Sequence, residues 1–332
     1  MKALIQKLVE TDGPSGYETN LRSLVRSQVE PLADQVWVDN LGNLFARKGQ
    51  AAGGGLKIML AAHMDEIGLM ITHIDQAGFA RFMPLGGVRP YNCPGGRVRF
   101  LNGARGVIGV EKLDDPGKGP AIDQLFIDLG ASSREDCPVK VGDVAAFERP
   151  FIDLGSRLVS KAMDDRIGVA VLIETLRGLK SSPHQVDFVF SVQEEVGIRG
   201  ATTAAYGLDP DLGLAVDVTS NGDTPKGTKM EVHLGKGPAI KVRDSSMISD
   251  PRVVAWMIKT ARQAEIPYQL EVLEMGGTDA RAIQLTRAGV PAGCLSIPCR
   301  YVHSPSEMVD FNDVQHAVRL LIALLSQPIG LE

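Results

Sequence analysis

Three apolar runs, each ending on a histidine or an acid, constrain this chain more than any other feature. They read KIMLAAHMD at 57–65, VDFVFSVQEE at 186–195 and LGLAVDVTS at 212–220. The stretch Ile58 to Ala62 is continuously apolar and short, the mark of a parallel strand covered on both faces. Helix-compatible segments separate the runs, and DDRIGVAVLIETLRGL precedes the second. Strands alternating with helices predict an α/β fold, a mixed sheet with helices on both faces. Near the start, Leu21, Leu24, Val25 and Val29 share one helical face that Pro31 closes, so helices open the chain.

Residues 68–157 follow another grammar. Segments such as GGVRPYNCPGGRVRFLNGARGVIGVE and VKVGDVAAFERPF give short strands broken by Gly and Pro, with little helical periodicity. The expectation is a β-rich insert at 68–157 that divides a catalytic domain into 1–67 and 158–332. A chain of 332 residues is long enough for two cores. Its 44 % hydrophobic and 23 % charged residues are those of a soluble globular protein. Net charge is −5, from 40 acidic against 35 basic residues, with no basic stripe to follow a phosphate backbone. No apolar run approaches the roughly 18 residues of a membrane span, and the N-terminus lacks the apolar centre of a secretory signal. The expectation is a cytoplasmic protein that binds neither nucleic acid nor membrane. Cys93, Cys137, Cys294 and Cys299 form no C-x-x-C pair, which argues against a zinc knuckle and a disulfide framework.

The chemistry gathers where the apolar runs stop. His63 and Asp65 follow the first, Glu194 and Glu195 the second, and Asp217 closes the third. Ligands of open α/β sheets bind beyond the carboxyl ends of the strands, so these positions converge on one crevice. Carboxylates gathered there repel one another unless a cation neutralises them. Residues two apart on an extended segment face one way, which lets Asp65 hydrogen-bond the ring of His63 and orient it. Glu194 and Glu195, being adjacent, diverge, so one can hold a metal while the other moves a proton. Loops add Asp164 and Asp165, ahead of a helix, and His303. Two histidines and three carboxylates serve two metals if one carboxylate is shared, and zinc accepts such ligands while leaving a place for water. Taken singly, each feature has a plainer use: Asp164 and Asp165 as helix caps, Asp217 as a turn residue, the glutamates as a solvated helix start. The joint pattern is what points to metal-assisted amide hydrolysis.

PSGYE at 14–18, AHMDEIG at 62–68, KAMDDRIG at 161–168, QEEVGIRGA at 193–201, AVDVT at 215–219, GGTDA at 276–280 and HSPSE at 303–307 together resemble the M42 metallo-aminopeptidases, also labelled glutamyl or TET aminopeptidases and endoglucanase-like proteins. The resemblance implies that Asp164 bridges two divalent ions, zinc or cobalt, with His63 and Asp217 completing one site and Glu195 and His303 the other. It makes Glu194 the general base, a choice the residues alone leave open, and Asp65 the orienter of His63. It implies a cis peptide between Asp164 and Asp165, peptide substrates with a free N-terminus, and self-association through the insert as a dimer or a tetrahedral dodecamer. Gly276, Gly277 and Thr278 fall beside the active site and are candidates to bind substrate. Rival readings are a deacylase or carboxypeptidase of the related co-catalytic metal clan, a glycosidase, which needs two carboxylates and no metal, and a structural metal protein, which has no use for Glu194.

Overall fold

A computed structural model describes the chain apart from residues 52, 114, 116 and 332. Its centre is an 11-stranded mixed sheet flanked by helices. The middle holds four parallel strands in the order Gln185–Ser191, Lys57–His63, Leu212–Thr219 and Ala292–Arg300. Antiparallel strands extend both edges, Leu44–Lys48 and Gln35–Val38 on one side, Glu307–Asp310, Arg157–Ser160 and Ile152–Asp153 on the other.

Alternation along the central strands sets the two faces. Ile58, Leu60 and Ala62 join Phe188 and Phe190 in a core with the helices Lys2–Glu10, Thr19–Val29, Met163–Gly178, Pro251–Gln263 and Phe311–Leu325. Met59, Ala61 and Val189 point the other way and pack on Ala204, Ala205 and Ile283 of the helices Arg199–Leu208 and Asp279–Gln284. Each fully buried large side chain contributes on the order of 1.5–3 kcal/mol, so this double cover makes the parallel centre the firmest part of the molecule. No helix among the described residues is long and apolar enough to cross a membrane.

The β-rich part is a closed six-stranded barrel. In sequence order its strands are Gly68–Ile74, Ala80–Leu85, Arg97–Phe100, Arg105–Val110, Leu125–Asp128 and Val144–Phe147. It has its own core of Leu69, Ile71, Phe82, Val98, Ile108 and Ile127, separate from that of the sheet. Asp12 links the two: its carboxylate accepts from Arg99 of the barrel at 2.6 Å and from Lys161 of the sheet domain at 3.1 Å.

Candidate metal centre

The parallel strands deliver their terminal residues to one cleft of about 680 Å³, lined by His63, Asp164, Glu194, Glu195, Asp217 and His303 among others. His63 ends its strand, Asp217 lies near the end of the neighbouring one, and the two glutamates follow Gln185–Ser191. Asp164 sits at the start of the helix Met163–Gly178 in a non-helical conformation, and the peptide joining it to Asp165 is cis. His303 is held with φ +61 in the loop before Glu307–Asp310.

Asp164 is the hub. Its Oδ1 lies 3.0 Å from His63 Nε2 and its Oδ2 lies 3.3 Å from His303 Nε2. Asp217 Oδ1 stands 4.0 Å from His63 Nε2, and Glu195 Oε2 stands 3.3 Å from His303 Nε2. Two donor groups result, His63 with Asp164 and Asp217, and Asp164 with Glu195 and His303, the ligand atoms of each lying within 4.8 Å of one another. Glu194 belongs to neither group, yet its Oε2 is 3.9 Å from His63 Nε2 at the cleft wall.

Asp65 lies beside His63 and also holds main chain of the site. The His63 ring Nδ1 meets the main-chain carbonyl of Asp65 at 3.0 Å, while the nearer carboxylate oxygen is 3.4 Å away. That carboxylate also accepts the amides of Glu194 at 2.9 Å and Glu195 at 3.1 Å, and the Ser15 hydroxyl at 2.6 Å. It therefore fixes the peptide from which both glutamates diverge. Gly276 and Gly277 reach the cleft, but Thr278 does not: it is buried and caps the helix Asp279–Gln284.

Electrostatics set the site apart. Burial alone would discharge His63, but its hydrogen bonds to Asp164 and Asp65 outweigh that and hold the ring well above its ordinary pKa. Burial opposes the charge on His303 too, and Asp164 and Glu195 push it up to about 11. Asp164 is held down, since the two imidazoles overcome its burial. Burial lifts Glu194 well above the usual range, and Asp217, Asp279 and Glu195 add to the rise against His63. Burial raises Asp217 likewise, with Asp164 adding to it. Carboxylates outnumber the imidazoles, and Glu195 Oε1 is buried with no described residue donating to it. Oxygen and imidazole donors in such excess of negative charge suit divalent cations.

Asp165, a candidate of the sequence beside Asp164, is fully buried and accepts the His63 amide at 3.2 Å. Other contributors escaped the sequence reading. Asp279 accepts from the Ser191 hydroxyl, and burial raises its carboxyl to about 6. Glu307 accepts two main-chain amides of the site. From the barrel come Gly86 and Gly87: a Cβ on Gly86 would lie 2.8 Å from Glu195 Oε2, and one on Gly87 would collide with the His303 ring. The pair LGGVRP carries the usual signature of a turn, and only the approach to His303 reveals its second use.

A family model described as M42 glutamyl aminopeptidase matches residues 42–320. The chain belongs to the M42 aminopeptidase family. The lysyl aminopeptidase of Pyrococcus furiosus is 38 % identical across 98 % of this chain and 96 % of that protein. A solved aminopeptidase from the archaeon Desulfurococcus kamchatkensis superposes with a TM-score of 0.94 at 43 % identity, covering 98 % of this chain and 94 % of that one. The TET1 peptidase of Pyrococcus horikoshii, which can assemble into a tetrahedron or a large octahedral shell, superposes with a TM-score of 0.89 at 33 % identity over 98 % of this chain and 99 % of that one. Membership in the M42 family makes this chain a peptide hydrolase of the aminopeptidase type, and the fold is that of its family, an α/β sheet with a separate β-rich unit.

Proposed function

We propose that the chain removes N-terminal residues from peptides with a free α-amine, using two divalent cations, zinc or cobalt, and Glu194 as general base. Asp164 would be shared, His63 and Asp217 would complete one position, and Glu195 and His303 the other. The observation that carries this reading is the placement of the Asp164 carboxylate, with one oxygen toward each histidine and each donor group otherwise complete. When bound, the cations supply a polarised scissile carbonyl and a water acidic enough to attack near neutral pH. Glu194, a carboxyl that burial raises well above the usual range, would take a proton from the attacking water and return it to the leaving amine. Asp65 holds the Glu194 amide so that the base stays aimed into the cleft. Gly276 and Gly277 leave the cleft wall free of side chains where a peptide backbone must pass.

We extend self-association to this chain as well, with the barrel as its dimerisation surface. Tyr91, Val107 and Val141 are exposed on that part of the chain, each with about half or more of its surface open, which supports the assignment. A monomer by light scattering at micromolar concentration would end it. The catalytic reading is tested by mass spectrometry on a mixed pool of free and N-acetylated peptides, before and after chelation and metal return. Stepwise N-terminal trimming of only the free peptides, stopped by the chelator and restored by zinc or cobalt, is the expected result. Trimming of the acetylated peptides would move the reading to a deacylase or carboxypeptidase.

A further inference from the structure

We infer that Glu307 is a positioning residue that fixes Asp164 and His303 as donors toward one of the two cation positions. The inference rests on the dinuclear reading above. Glu307 opens the strand Glu307–Asp310 and is 2 % exposed. Each of its oxygens accepts a main-chain amide from a different donor residue, Oε2 from Asp164 at 2.9 Å and Oε1 from His303 at 2.8 Å. One side chain thus ties together two donors that come from separate parts of the chain.

The two residues it holds are those whose backbones need holding. Asp164 sits at φ −75, ψ 108 inside the first turn of its helix, and His303 has a positive φ in a loop. Glu307 itself is anchored, because its strand pairs with Arg157–Ser160 in the main sheet, with Ser160 opposite Glu307. Losing either acceptor oxygen would strand a buried main-chain N–H, which costs more than the hydrogen bond itself contributes. Asp65 makes the matching arrangement at the amides of Glu194 and Glu195, so two buried carboxyl groups hold main-chain amides around the cleft. Glutamine at 307 keeps one acceptor oxygen and turns an NH2 toward one of the two amides. Aspartate keeps both carboxyl oxygens but is one methylene too short to hold both amides at these distances.

The test is calorimetric titration of zinc into metal-free wild type, Glu307→Gln and Glu307→Asp, with His303→Ala to label the position that His303 serves. Wild type is expected to take up two ions. Both Glu307 variants should bind the ion at the labelled position about 10- to 100-fold more weakly, and the other ion, which shares only Asp164 with it, less affected. Excess zinc should then restore occupancy and kcat with KM unchanged, which a general loss of structure would not allow. Two unaltered affinities, equal weakening of both positions, or failure of both variants to fold would overturn the inference. Fewer than two ions in wild type would instead refute the dinuclear reading, and this inference would fall with it.

Discussion

Replacing Glu194 with glutamine removes a proton acceptor while keeping the side chain's size and the main chain that Asp65 anchors at 2.9 Å. General acid–base catalysis contributes roughly 10² to 10⁴ in rate, which is about 3 to 5 kcal/mol at 1.36 kcal/mol per decade. The structure sets the second half of the expectation. Beyond its own burial, the charge of Glu194 is opposed by Asp217, Asp279 and Glu195. Neutralising it takes a negative charge from beside the cations but removes no member of either donor group, so cation affinity should fall modestly at most and both positions should still fill. The assay pairs kcat on a saturating free peptide with metal content by elemental mass spectrometry on the same sample. Expected is a kcat lower by at least about 10²-fold with full metal occupancy. Metal and activity lost together would make Glu194 a ligand, and a fall in kcat of less than about tenfold would remove it from proton transfer.

Gly87→Ala should displace the His303 ring, since a Cβ there has no room, and weaken one cation position while leaving the other; zinc titration with unchanged barrel folding by circular dichroism checks it. Cation binding should release protons, because in the metal-free site His63 and His303 are held charged and Glu194 and Asp217 are raised toward neutrality. Affinity should therefore climb as pH rises from 6 and go on climbing until His303 loses its proton near its raised value of about 11, and calorimetry in buffers of different ionisation heat measures the protons released; a pH-independent affinity would contradict it. Asp12→Asn should destabilise the protein at neutral pH by roughly 1–3 kcal/mol through loss of charged hydrogen bonds from Arg99 and Lys161. Burial would raise the Asp12 carboxyl, but Arg99 and Lys161 outweigh it and lower its pKa in the folded state. That stabilisation is present above about pH 4 and lost as pH falls through the lower folded value, so wild type and variant should converge in acid when followed by urea unfolding.

The α/β centre was legible because its signal is local. Continuous apolar runs at 57–65, 186–195 and 212–220 mark strands covered on both faces, and the polar residue that ends each run marks the crevice. The fourth parallel strand, Ala292–Arg300, gave no such signal, since AGCLSIPCR mixes Gly, Ser, Pro and Cys. Burial in the middle of the sheet overrides its weak strand preference. The barrel was legible as a β-rich stretch but not as a closed form, because closure depends on which short strands pair. The structure brings His63, Asp164, Glu194, Glu195, Asp217 and His303 into one cleft. Glu307, Asp279 and Asp165 act by accepting main-chain amides or a hydroxyl, and nothing in the spacing of a carboxylate along a chain reveals which distant amide it will meet.

The place of the barrel in the chain has a mechanical meaning. The strand Lys57–His63 ends on a donor, and within five residues Gly68 begins the first barrel strand. A Cβ on Gly68 would lie 2.7 Å from Pro14 and 2.9 Å from the Ala145 carbonyl, so the chain crosses between the domains with no slack. After one hairpin it returns to the cleft as Gly86 and Gly87, against Glu195 and His303. The ion pairs of Arg99 and Lys161 with Asp12 and of Lys161 with Glu66 lie on the same seam. The barrel therefore forms a wall of the site. A shift of its first hairpin is expected to move His303, whose ring Gly87 touches and whose amide Glu307 accepts.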